Sequence, residues 1–138
     1  MLKGLDTSAI KYVQCIVPAA ISAAASTQPV DYSNFTFGTV VGTAGSTGAA
    51  AIAVNVQRSA TSNGTFQPIG CSINLNLASK TQVRSFTTNS SAVWYRLHYT
   101  ATGGGSPIIA LTLLQQGARE VPIDQDTNTT SYSVIANA

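Results

Sequence analysis

Apolar and polar residues alternate along most of this chain, with a period of two. The clearest stretch runs Val93, Trp94, Tyr95, Arg96, Leu97, His98, Tyr99, Thr100. Successive side chains of a strand point to opposite faces. Val93, Tyr95, Leu97 and Tyr99 therefore share a core-facing side, and Trp94, Arg96, His98 and Thr100 share an outer or contact side. Pro107 to Gln116 predicts a second strand with Ile109, Leu111 and Leu113 on one face. The glycine-rich stretch Ala101 to Ser106 joins the two as a hairpin-type loop. Ala50 to Arg58 sets Ile52, Val54 and Val56 against Ala51, Ala53, Asn55 and Gln57. It leads into Ser62, Asn63, Gly64 and Thr65, and Asn-Gly is the strongest short hairpin signal. Phe66 to Ile69 is the returning strand, and Gln82 to Thr87 is another short one. Ile10 to Val17 and Phe35 to Val41 carry weaker strand patterns.

Helix signals are poor. Ala19 to Ala25 has enough alanine for a turn or two but no stripe of large apolar residues at i, i+3, i+4. Short strands separated by Gly, Ser, Thr and Asn predict an all-β, antiparallel sandwich or barrel. Its expected core holds Val54, Val56, Tyr95, Leu97, Leu111 and Leu113. A length of 138 residues suits one domain with one core. The body is expected over residues 9–123. Met1 to Ser8 and Asp124 to Ala138 are polar and turn-rich, and are expected to be intermolecular arms. Gly42 to Gly48 reads as a loop.

Composition changes the picture in one respect. Asp, Glu, Lys and Arg make up 9% of the residues, against ~25% in an ordinary soluble domain. Ser, Thr, Asn, Gln, Gly and Ala stand where charges normally would. A lone monomer relies on charged faces to stay dispersed, so a neutral surface of hydroxyls and amides points to a component of an assembly. The seven basic residues are scattered without a basic run, which disfavours nucleic acid as a partner. No apolar run reaches the ~18 residues of a membrane span. Cys15 to Ala25 ends in small residues as a signal peptide would, but Asp6, Lys11 and Gln14 interrupt the apolar stretch that must precede them. The expectation is a soluble chain that is not exported.

Catalytic chemistry finds little to work with. His98 is the sole histidine, sits mid-strand, and has no G-x-S-x-G elbow to serve. The five acids offer no carboxylate pair outside Asp124 and Asp126, whose spacing suits a calcium ion without a third liganding pattern. Cys15 and Cys71 belong to no C-x-x-C or His/Cys cluster, so they read as small reduced thiols. A disulfide between them is the alternative. Gly103, Gly104 and Gly105 lack the G-K-[ST] ending of a phosphate loop. N-x-[ST] occurs at Asn34, Asn63, Asn89 and Asn128, as chance allows in a chain so rich in Ser and Thr. No enzyme activity, cofactor or metal is expected. Trp94, Arg96 and His98 remain as a contact stripe, since Trp and Arg are enriched at binding hot spots. The same stripe suits a sugar ring, or cover by the chain's own arm.

One segment resembles a known group. Val54 to Phe66 has the form V-x-V-Q-x-S-x-[TD]-S-x-G-T-[FW], and is followed by the strand Trp94 to Tyr99, a glycine-rich turn and an apolar strand. Over roughly Ala50 to Gln116 the chain is similar to the capsid decoration, or cement, proteins of tailed bacteriophages. That resemblance implies a β-sandwich or jelly-roll body on the exterior of the virion, assembled in the host cytoplasm. The implied partners are the phage major capsid protein and further copies of the chain, as dimer or trimer. It supplies no catalytic residues. The alternative reading is a carbohydrate-binding or adhesion module of a phage fibre or tail.

Overall fold

A computed structural model of the chain describes residues 11–21, 23–45, 51–75, 81–103 and 107–118. The expected arms at 1–8 and 124–138, residues 46–48 of the expected Gly42 to Gly48 loop and residues 104–106 of the triple-glycine turn lie outside these residues. The described strands are β1 (Lys11–Ala20), β2 (Ala25–Ser26), β3 (Val30–Asp31), β4 (Phe35–Ala44), β5 (Ala51–Ser59), β6 (Gln67–Leu75), β7 (Thr81–Thr87), β8 (Trp94–Thr102) and β9 (Ile108–Ala118). All pair antiparallel. One sheet has the order β1-β9-β4-β7, and the other β2-β8-β5-β6 with β3 also on β8.

The pairing has a simple origin. β5 pairs with β6, β4 with β7, β2 and β3 with β8, and β1 with β9. The chain is thus one long two-stranded hairpin whose tip is the turn containing Asn63 and Gly64. Rolling that ribbon brings β4 onto β9 and β5 onto β8, which closes the two sheets. With β2 and β3 counted as one interrupted edge strand, this is the eight-stranded jelly roll. Pro29 explains the interruption: it has no N–H to give to β8. Thr27 keeps the strand attached by accepting the Leu97 N–H at its Oγ1 (3.0 Å) and donating its own N–H to the Leu97 carbonyl (2.8 Å).

The core lies between the sheets. Ile52, Val54, Val56, Leu75, Tyr95, Leu97, Ile109, Leu111 and Leu113 are all buried there. The six residues expected in the core are among them, and Tyr95 and Leu97 take the inward face as the alternation required. Four aromatic rings fill one end. Tyr32 lies 5.0 Å from Tyr95 and 6.3 Å from Phe35, and Phe86 lies 5.2 Å from Tyr95 between ring centroids. Buried polar groups are hydrogen-bonded, as burial demands. Tyr32 donates to the Leu114 carbonyl (3.1 Å), and Gln115 donates to the Asp31 carbonyl.

Several elements depart from the sequence-based expectation. The weaker candidates are full strands of ten residues each, β1 and β4. Gly42 to Ala44 belong to β4 and not to a loop; Gly42 packs under the end of the Ile73 side chain, where a Cβ would stand 2.5 Å from Ile73 Cδ1. Ala19 and Ala20 end β1, and Ala25 opens β2, so the described part of the alanine-rich stretch holds strand ends and a bend and no helical turn. The Asn-Gly hairpin exists, but its loop spans residues 60–66 and is closed by Gly64 donating to the Thr61 carbonyl (3.3 Å).

Candidate contact faces

The sheet containing β8 presents the stripe expected from sequence. Trp94, Arg96 and His98 lie on its outer side, and all three are half-buried. Register places Trp94 beside Asp31 and Ser59, Arg96 beside Gln57, and His98 beside Asn55 and Ser26. Arg96 Nε donates to Gln57 Oε1 (2.9 Å), and its guanidinium sits 4.3 Å from the centroid of the Phe66 ring. His98 Nδ1 is 2.9 Å from Ser26 Oγ. Phe66 leaves the hairpin tip and is buried outside the main core, so the chain covers part of its own stripe. What results is a polar face whose single cation among the described residues, Arg96, is already held by an amide and an aromatic ring.

The other sheet presents a face that sequence reasoning missed. Outward positions on β9 are Ala110, Thr112, Leu114 and Gln116, and their register partners on β4 are Thr43, Val41, Thr39 and Phe37. β7 adds Thr81, Val83 and Ser85 beside Thr43, Val41 and Thr39, and β1 adds Tyr12 beside Leu114. None of these is Asp, Glu, Lys, Arg or His. Hydroxyl groups tie the strands together: Thr39 Oγ1 to Gln116 Oε1 (2.6 Å) and to Ser85 Oγ (2.9 Å), and Thr43 to Thr81 (3.3 Å). Val83 is 61% exposed at the edge. The outward side of a solvated sheet normally carries charge. Here apolar and hydroxyl side chains occupy it, and the hydroxyls already bonded across the strands keep those bonds when the face is covered. The signal was present as missing charges at alternate positions of three strands, but the strands had first to be placed side by side.

Other sequence-predicted features stay apart. Cys15 and Cys71 form no disulfide and lie on the edge strands of opposite sheets. Cys15 lies beside Val30 and Asp31, while Cys71 faces Arg84 and Phe86. The two thiols are thus on opposite flanks of the sandwich, separated by about three strand spacings, roughly 14 Å. A disulfide tolerates a Cα separation of at most ~7 Å. Burial pushes the Cys71 thiol above its ordinary pKa, against a smaller opposing pull from Arg84. No cluster of three His, Cys, Asp or Glu side chains occurs among the described residues.

No protein-family model and no curated protein matches the chain. Solved structures do. The crystal structure of the PBSX exported protein XepA covers 95% of this chain at 18% identity with a TM-score of 0.59, the match taking up 45% of that chain. A structure of infectious bursal disease virus, Gx strain, covers 82% of this chain at 8% identity with a TM-score of 0.50, over 33% of its own chain. The chain therefore spans less than half the length of either. At such identities the likeness is one of fold: an all-β sandwich that also occurs in an exported protein and in a virus.

Proposed function

We propose that this chain is a structural virion protein that binds the outside of an assembled phage head and stabilises contacts between major capsid protein subunits. The observation that carries the reading is the outer face of the β1-β9-β4-β7 sheet, which carries no charge among the described residues. Burying it against protein strands no charge and leaves no buried ion to be paired. The Trp94, Arg96 and His98 stripe offers a second contact, with Trp and Arg as the anchors. The resemblance of Val54 to Phe66 and of Trp94 to Tyr99 to decoration proteins supports the same role, and the jelly roll is a common fold of viral coats. Each copy would make modest contacts that the lattice multiplies through effective concentration. Stabilisation then follows because the protein binds the assembled shell and not its dissociated subunits. Copies of the chain would also meet one another on the shell. No chemistry is assigned to it.

The test is to compare particles with and without the protein under heat or osmotic shock. Particles lacking it should release DNA under milder conditions, and added protein should restore resistance with little dependence on salt. Val83→Glu and Trp94→Ala should each lower occupancy while leaving the fold intact. Equal particle stability, or failure of the purified protein to bind expanded shells, would reject the role.

A second reading rests on Trp94 itself. It is half-exposed, with Ser26, Asn55 and Gln57 on the same face, and jelly rolls also serve lectins. A carbohydrate-binding module would show glycan affinity that Trp94→Ala abolishes.

A further inference from the structure

The roll leaves β6 and β7 as edge strands of opposite sheets, facing each other across a seam. At one end Gln82 Oε1 accepts the Asn74 N–H (2.9 Å) and stitches the seam shut. At the other end β6 departs from regular pairing. Asn55 is opposite Ser72 and Gln57 opposite Pro68, so Ile69, Gly70 and Cys71 together stand against Val56. Gly70 takes φ +80°, which L side chains rarely adopt. A cavity of about 600 Å³ opens beside this bulge. Arg58, Arg84, Phe37, Phe86, Ile69 and Cys71 line it.

Both arginines belong to this space by register. Arg84 is paired with Val40 and Arg58 with Tyr95, and both partners are completely buried. The two cations therefore sit on the core-facing sides of their strands, one from each sheet. Neither has a hydrogen-bond or ion-pair partner among the described residues. Arg96 differs, being held by Gln57 and Phe66. Asp31 is the one carboxylate among the described residues, and it lies on β3 at the opposite flank. The field of Arg84 reaches Cys71, where it works against the effect of burial. Arg58 is half-buried and Arg84 exposed, and with no carboxylate partner among the described residues the two cations offer a paired positive site to an anionic group.

We propose that the seam between β6 and β7 binds an acidic side chain carried on an extended segment of a partner protein, with Arg58 and Arg84 clasping its carboxylate. Guanidinium forks match carboxylates in bidentate geometry. Beyond the Asn74–Gln82 bond, β6 and β7 are edge strands among the described residues, a setting that favours an extended peptide, which adds as a strand while its side chains enter adjoining pockets. Phe37, which is 39% exposed, and Phe86 give that peptide an apolar wall. The site shares only Phe37 with the charge-free outer face and its two arginines lie on neither outer face, so the arginine variants test it apart from the decoration role.

The experiment uses the full chain and a pentapeptide with blocked termini and an uncharged BODIPY label, Thr-Val-Glu-Val-Thr, beside its neutral Gln counterpart, read by fluorescence anisotropy. The Glu peptide should bind at least tenfold more tightly. Arg58→Gln and Arg84→Gln should each erase that preference, Arg84→Lys should retain part of it, and Arg96→Gln should leave it unchanged. Thermal melts of each variant establish that the fold persists. Equal binding of the two peptides would overturn the proposal. So would a variant without preference that instead dimerises, since inward charges on an edge strand also serve to block edge-to-edge pairing. Competition by glucuronate or inorganic phosphate as strong as that of the peptide would show that a free oxyanion suffices, against a peptide site. A tenfold gain in affinity when Glu120, Asp124 and Asp126 are changed to amides would assign the arginines to the chain's own acids.

Discussion

Gly38 provides a quantitative test of the packing. It lies on the inward side of β4, opposite Phe86, beneath the aromatic cluster. A Cβ at this position would stand 2.6 Å from Phe86 Cζ and 2.7 Å from Tyr32 Cε2. Both rings are buried and touch Tyr95, so neither swings away without disturbing the other. Overpacking of this kind costs about 1–3 kcal/mol. Replacing a strand glycine by alanine returns about 0.5–1 kcal/mol of backbone entropy. Gly38→Ala should therefore destabilise by about 1–2 kcal/mol. At ~2.1 cal/mol/K per residue of unfolding entropy, each kcal/mol corresponds to ~3 °C in Tm. Gly42→Ala is the control. Its shortest contact is the terminal methyl Ile73 Cδ1 at 2.5 Å, which rotates about one bond, and the methyls of Leu75 and Leu111 lie at 3.2 Å. Its net cost should stay within about 1 kcal/mol, the entropy gain offsetting the adjustment. Urea unfolding of the two variants gives both numbers on one scale. Coupling should appear as a smaller cost of Gly38→Ala in a Phe86→Leu background. A Gly38→Ala protein as stable as its parent, or a Gly42→Ala protein that is the weaker of the two, would refute this account of the rings.

Leu111→Ala should cost about 2–5 kcal/mol, because Leu111 is wholly buried at the centre of the sandwich; a denaturant midpoint close to that of the parent would contradict its burial. Burial raises the Tyr32 phenol well above its ordinary pKa near 10, with smaller contributions from Cys15 and Tyr95. The fold prefers the protonated phenol, so this contribution to stability is complete below pH ~10 and is lost as pH rises from there towards the raised value. Unfolding on alkaline titration should be blunted at its onset in Tyr32→Phe, at a cost of about 1 kcal/mol at neutral pH for the bond to Leu114. Alkylation without reductant should add two groups, with Cys71 modified slowly because burial disfavours its thiolate; recovery of a bridge to Cys15 would oppose the separation of the two strands.

What the sequence revealed and what it hid follow from where alternation survives. β5, β8 and β9 are central strands with unbroken parity, so Val54, Leu97 and Leu111 announced both strand and face. β1 is an edge strand with register shifts between Gln14 and Ile16 and between Ile16 and Ala19. Its inward residues Val13, Ile16 and Ala19 are therefore three apart, and a period of two never appears. In β4 the inward positions include Gly38, Gly42 and Ala44, because rings and methyls from other strands fill the space above them. Its apolar pattern is borrowed from its neighbours. The functional surfaces depend on a further level of organisation. Thr112 and Val83 share a face, and Arg58 and Arg84 a cavity, only after the ribbon rolls and β4 docks on β9. The scarcity of charge was visible in one dimension, but its consequence was not. Of the four described cations, Arg58 and Arg84 line one seam, Lys11 lies by the other flank, and Arg96 is tied down on the second sheet. Among the described residues that leaves one sheet face neutral, and this segregation, more than the low charge itself, suits a flat contact with another protein.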